Sequence, residues 1–91
     1  MTINMDNIAN LFTTAELVKT VVANDIAALR SVEGKNKNKP GSSEKFKLFS
    51  NESNAAKALL IIKLGSEDEA TRMVDVGFDL IGKLIRDGNE L

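Results

Sequence analysis

The side chains of this chain that could do chemistry are lysines and carboxylates, because its 91 residues include neither histidine nor cysteine. Nucleophilic pairs of serine or cysteine with histidine are therefore excluded, as are zinc sites built on histidine and thiolate ligands. Gly34, Gly41 and Gly65 stand alone, so no glycine-rich phosphate-binding loop is present. We predict that the protein is not an enzyme and has no catalytic, cofactor-binding or metal-binding residues.

Three consecutive carboxylates, on Glu67, Asp68 and Glu69, could in principle hold a hard cation such as Ca²⁺. They directly follow Ser66, and serine followed three residues later by glutamate is the spacing of a capping box. Acids in the first turn also suit the positive end of a helix dipole. The cluster is thus better explained as the start of a helix than as a metal site.

The segment between Ser31 and Ser50 is rich in lysine. It contains five lysines and only two acidic residues, Glu33 and Glu44, so its net charge is +3. Because the whole chain carries −1, the remainder sums to −4. Such a segment could contact nucleic acid or an acidic protein, or it could be a solvated connector. The candidate nucleic-acid contacts are Lys35, Lys37, Lys39, Lys45 and Lys47.

The clearest element is a helix predicted over 67–87, with Gly88 in the usual position just after a helix C-terminus. On a helical wheel nine of its small and apolar residues fall within an arc of about 160°, and most of its charged residues lie opposite. Gly77 lies inside that arc, where glycine costs roughly 0.5–1 kcal/mol relative to alanine. Either another helix approaches closely there or a small residue is simply tolerated. The arc contains Leu80, Met73, Leu84, Gly77, Ala70, Ile81, Val74, Ile85 and Phe78.

A second helix is predicted over 14–30, because Thr13 and Glu16 repeat the capping-box spacing and apolar residues recur at helical intervals. Whether 7–12 joins this helix or forms a separate one is open. Residues 32–43 read as a flexible loop, since Pro40-Gly41 breaks regular structure. The stretch 44–50 fits a half-buried strand by its alternation or the start of a helix, and we prefer helix because a lone strand has no partner.

The third helix, predicted near 52–64, is apolar on nearly every side from 54 to 64. Gly65 closes it and Ser66 opens the last helix at once, which predicts a tight corner between the two helices. A helix of this kind is surrounded by protein, and only two other helices are available in one chain. We therefore predict a homodimer or larger oligomer. Its interface residues are predicted to be Leu59, Leu60, Ile61, Ile62, Gly77 and Ile81.

Together these elements predict one all-α domain of three to four helices spanning 1–91. The order of residues 44–86, a basic alternating segment followed by two helices, also resembles half of a ribbon-helix-helix dimer. That resemblance implies a ribbon-helix-helix fold with an extra N-terminal helix, in which Lys45 and Lys47 enter the major groove from a strand. The last helix is longer than is usual in that family.

Two functions follow from these elements. The first is a small interaction module that regulates, inhibits or adapts a partner protein, and the second is a DNA-binding regulator that uses the Lys35–Lys47 segment. The chain has four phenylalanines and no other aromatic residue, so it offers few stacking platforms for single-stranded nucleic acid. We prefer the interaction module.

The first residues lack the basic-then-apolar order of a signal peptide, and no apolar run approaches the ~18 residues of a membrane span. We therefore expect a cytoplasmic protein with no membrane partner.

Overall fold

The computed structural model describes residues 5–86, and the surroundings of side chains for 7–81 and 83. Within these residues the chain forms α-helices and no strand, which confirms the predicted all-α class. A short 3₁₀ turn at Gly34–Asn36 lies in the connection between the second and third helices. The helices are α1 (Met5–Asn10), α2 (Thr14–Ser31), α3 (Ser42–Leu64) and α4 (Glu67–Arg86).

The start of α2 is fixed by the predicted capping box. The Thr13 hydroxyl accepts a hydrogen bond from the Glu16 N–H at 3.0 Å, and the Glu16 carboxylate accepts one from the Thr13 N–H at 2.9 Å. This box satisfies two backbone donors that a helix start leaves free. It separates α2 from α1, which packs on α3 and buries Ala9.

Helix α3 begins at Ser42, ten residues before the start predicted near 52. Gly41 precedes it with φ of +82°, a left-handed conformation that glycine adopts without steric cost. The preference for helix over strand at 44–50 is thus confirmed. Because Lys45 and Lys47 are helical and residues 5–86 contain no strand, the ribbon-helix-helix alternative was wrong.

The extra length of α3 follows from its contact with α2. Phe49, Ser53, Ala56 and Leu60 recur at intervals of four, three and four residues, which places them on one helix face. Ser53, Ala56 and Leu60 are buried, and Ser53 donates a hydrogen bond to the Val21 carbonyl at 3.4 Å. The stripe was missed in the sequence because a polar serine interrupts it.

A tight corner joins α3 to α4, as predicted. Gly65 has φ of +74°, and its N–H donates to the Ile61 carbonyl at 2.7 Å. The Ser66 hydroxyl then accepts from the Glu69 N–H at 3.2 Å, which caps α4. The Glu69 carboxylate, predicted to return to Ser66, lies 3.4 Å from the Arg72 guanidinium. The predicted stop at Gly88 lies outside the described residues.

The core forms where α2, α3 and α4 meet. Helix α3 contacts α1, α2 and α4, and its most extensive contact is with α2. Three helices of the same chain therefore cover α3, rather than the two expected from the sequence. No helix within 5–86 combines the length and hydropathy needed to span a bilayer. The buried core consists of Leu17, Val18, Val21, Val22, Ala56, Leu60, Ala70 and Val74.

Candidate interaction surfaces

Helix α4 leaves part of its apolar face uncovered. Ala70 and Val74 are buried against the core, whereas Met73, Val76 and Leu80 are 38%, 51% and 60% exposed. These three residues are spaced at i, i+3 and i+7 and form one exposed stripe, which we call the α4 stripe. Val76 lies outside the arc drawn from the sequence, so its part in the stripe was not predicted.

The α4 stripe continues into a shallow groove of about 280 Å³ between α2 and α4, which we call the α2–α4 groove. Its lining is apolar except for Lys19. The two helices come close together at Gly77, which is part of the lining. It is lined by Ala15, Val18, Lys19, Met73, Val76, Gly77, Leu80 and Ile81.

Gly77 allows this close approach. A Cβ atom built on Gly77 would lie 2.5 Å from Val18 Cγ1 and 3.3 Å from Val22 Cγ2. Of the two interpretations of this mid-helix glycine, close approach of another helix is therefore the correct one. The approaching helix is α2 of the same chain.

The predicted interface residues of α3 differ in accessibility. Leu60 has no exposed surface, so its contacts lie within its own chain. Leu59 and Ile61 are half-buried and pack against the core, and Ile62 is half-buried. Ile81 is half-buried and lines the α2–α4 groove. None of the six predicted interface residues is therefore fully exposed, and among the described side chains of α4 the exposed apolar ones are those of the α4 stripe.

The five predicted lysines are all exposed, but they do not all line one concavity. Lys39 and Lys45 line a second concavity of about 510 Å³, the basic cleft, whereas Lys35, Lys37 and Lys47 are not part of its lining. Lys45 and Lys47 cannot project to one side, because residues two apart on a helix do not share a face. Arg30 completes the basic cleft, and it was missed because it precedes the lysine-rich segment.

The basic cleft lies between the C-terminal half of α2, the 32–41 connection and the first turns of α3. It is lined by Ala23, Ile26, Ala27, Arg30, Ser31, Asn36, Lys39, Pro40, Ser42, Lys45, Leu48 and Phe49.

The acidic residues predicted to start α4 occupy its first turn. No group of three or more acidic side chains within the described part of the chain is arranged to hold a metal ion. Comparisons of the chain with protein-family models, with curated proteins and with solved structures found no match.

Proposed function

We propose that this protein is a non-enzymatic, cytoplasmic interaction module that pairs with a second copy of itself through α4 and regulates, inhibits or adapts a partner protein. The observation that carries the proposal is the α4 stripe, whose three apolar side chains remain exposed on a folded domain. Contiguous exposed apolar surface beside a groove is typical of interaction sites.

A second copy suits the α4 stripe because the charges along α4 are complementary when two copies run antiparallel. With the two-fold axis at Val76, Glu69 of one subunit lies beside Lys83 of the other, since each is seven residues from Val76. Both side chains are exposed in the subunit. A two-fold interface repeats each contact, so the pair forms twice.

The test is the molecular mass in solution, measured by sedimentation equilibrium from micromolar concentration upward. Wild-type protein is expected to be dimeric, and Leu80→Glu is expected to be monomeric with an unchanged circular dichroism spectrum, because it places a charge in the apolar interface. Leu29→Glu is the matched control, since Leu29 is 52% exposed on α2 and lines neither concavity.

Two results would contradict self-association through α4. One is a wild-type protein that remains monomeric throughout the concentration range. The other is a Leu29→Glu variant that dissociates as readily as Leu80→Glu.

Duplex DNA binding is the second candidate, and it is supported by the exposure of all five lysines between 35 and 47. Affinity for mixed duplex DNA would then fall steeply with salt, because each neutralised phosphate releases counterions. Gel-shift titrations at two salt concentrations test this. A tight, salt-sensitive shift that is lost when Lys45 and Lys47 are both replaced would favour DNA over a protein partner.

A further inference from the structure

The basic cleft combines cationic side chains with an apolar floor. Arg30, Lys39 and Lys45 line it, and none of its twelve lining residues is acidic. Among the described residues, none of these three cations has a carboxylate within 4.0 Å, since the ion pair that the structure contains joins Arg72 to Glu69. The cleft therefore offers three positive charges that the carboxylates of the described residues do not pair with.

The floor of the basic cleft consists of Ile26 and Ala27 from α2 and of Phe49 from α3, all half-buried. Leu48, 55% exposed, forms part of its wall. Apolar side chains beneath a charged rim match the usual anatomy of a protein-binding pocket, in which a bulky anchor is buried and polar contacts surround it. A phosphate backbone would use the cations but leave this apolar floor unfilled.

The connection that closes one side of the basic cleft is held by hydrogen bonds to its neighbours. Asn36 Nδ2 donates to the Arg30 carbonyl at 2.9 Å, and Ser42 Oγ donates to the Lys37 carbonyl at 3.4 Å. Successive backbone turns join 33 to 42, including Asn36 N–H to the Glu33 carbonyl at 3.0 Å and Ser42 N–H to the Lys39 carbonyl at 3.2 Å. A wall held in this way reduces the ordering cost of binding.

We propose that the basic cleft binds an acidic peptide segment of a partner protein, with one bulky apolar side chain of that segment seated on the Ile26 and Phe49 floor. Its carboxylates then lie beside Arg30, Lys39 and Lys45. This proposal rests on the proposed function, because it names the chemistry of the partner that the module recognises. It does not depend on the dimer, since the cleft and the α2–α4 groove share no lining residue.

The experiment is a fluorescence-anisotropy titration with a labelled peptide in which one phenylalanine is flanked by two glutamates on each side. The protein is used both as wild type and as Leu80→Glu, so that failure of the dimer and failure of the cleft are distinguished. Saturable binding to both is expected. A peptide of the same charge with glycine in place of phenylalanine should bind at least roughly tenfold more weakly.

Matched double variants separate the cleft from general electrostatic attraction. Lys39→Gln with Lys45→Gln is expected to weaken binding of the phenylalanine peptide by roughly tenfold or more. Lys35→Gln with Lys47→Gln removes the same charge from the same segment outside the cleft, and it should leave the affinity within about twofold. Circular dichroism checks that both variants remain helical.

The proposal is overturned if the two double variants weaken binding equally, or if the glycine peptide binds as tightly as the phenylalanine peptide. Absence of saturable binding to either form of the protein also overturns it. A duplex DNA that binds more tightly than the peptide, and is weakened by both double variants, would assign the lysines to nucleic acid instead.

Discussion

At the scale of single residues, Gly77 sets the distance between α2 and α4. Glycine in a helix interior is unfavourable, so its presence needs a compensating contact. The compensation is the approach of Val18, whose Cγ1 atom lies 2.5 Å from the position of a Gly77 Cβ. Val18 is β-branched and stiff, so it cannot easily move aside.

Gly77→Ala is therefore expected to destabilise the fold, although alanine is the better helix former. Overpacking costs about 1–3 kcal/mol, and the helix-propensity gain offsets about 1 kcal/mol of it. The free energy of unfolding, measured by urea denaturation, should therefore fall by up to about 2 kcal/mol, which is the overpacking cost less the propensity gain. Adding Val18→Ala to Gly77→Ala should show favourable coupling in a double-mutant cycle. A more stable Gly77→Ala protein would contradict the close-packing explanation.

The capping box at Thr13 leads to a pH-dependent prediction. The Thr13 N–H and then the Thr13 hydroxyl, both hydrogen-bonded to the Glu16 carboxylate, lower the pKa of that carboxyl below its usual value of 4.5. Since the pKa is lower in the folded than in the unfolded state, the stabilisation is complete above the unfolded pKa. It is lost as pH falls through the folded pKa.

Thr13→Ala should raise the pKa of Glu16 towards its usual value and lower stability by about 0.5–2 kcal/mol through loss of the N-cap hydroxyl. The pKa is measured by following the Glu16 carboxyl carbon in an NMR titration, and the stability by urea denaturation. Thr71→Ala, at an exposed position within α4, is the control and should leave the Glu16 pKa unchanged. The rise should be partial, because alanine keeps the backbone N–H that donates to the Glu16 carboxylate. A Glu16 pKa that is not lowered in the wild-type protein would show that the box does not form in solution.

At the scale of the elements, one face of α3 is buried in the core and another is exposed to solvent. Leu60 has no exposed surface, whereas Leu48 on the same helix is 55% exposed. Leu60→Ala is expected to cost about 2–5 kcal/mol, because it leaves a cavity among α2, α3 and α4. Leu48→Ala makes the same chemical change at a surface position and should stay within about 0.5 kcal/mol of wild type.

Urea denaturation of the two alanine variants measures this difference directly. Because both substitutions replace leucine by alanine in one helix, differences in helix propensity cancel. Equal losses of stability would show that Leu48 is covered in solution, which would also remove it from the wall of the basic cleft.

The elements that could be predicted from the sequence are those whose signals are local. The Thr13 box and the periodicity after it predicted α2 to within a residue, and Gly65 followed by Ser66 predicted the corner. Helix was preferred at 44–50, but its continuity with 52–64 and the face that it buries were not predicted, because they depend on contact with α2, where Ser53 occupies a buried site. The solvent exposure of a side chain also depends on residues distant in the sequence. Val76 is part of the α4 stripe, and Arg30 lines the basic cleft, because of how other helices pack around them.

At the scale of the whole molecule, the two halves of α2 line two different concavities. Its N-terminal half contributes Ala15, Val18 and Lys19 to the α2–α4 groove, and its C-terminal half, from Ala23 to Ser31, lines the basic cleft. A dimer built on the α4 stripe therefore leaves the basic cleft of each subunit open. Such a dimer would offer two equivalent cationic sites, and a partner with two acidic segments would bind it with increased avidity.

The antiparallel orientation of the proposed dimer is tested by exchanging charges along α4. Glu69→Lys would face Lys83 of the second copy with a like charge, and Lys83→Glu would do the same with Glu69. Each single change should raise the dimer dissociation constant by roughly three- to thirtyfold, since two exposed ion pairs of about 0.2–1 kcal/mol each are replaced by repulsion.

The double variant, Glu69→Lys with Lys83→Glu, restores opposite charges in the antiparallel arrangement and should return the dissociation constant close to that of wild type. Sedimentation equilibrium at low salt measures it, because salt screens exposed pairs. Glu69 also forms an ion pair with Arg72 of its own chain at 3.4 Å. This ion pair is lost in both Glu69→Lys and the double variant, so a difference between these two variants reports on the contact between subunits. If the double variant dimerises as weakly as the single variants, the two copies of α4 do not pair antiparallel about Val76.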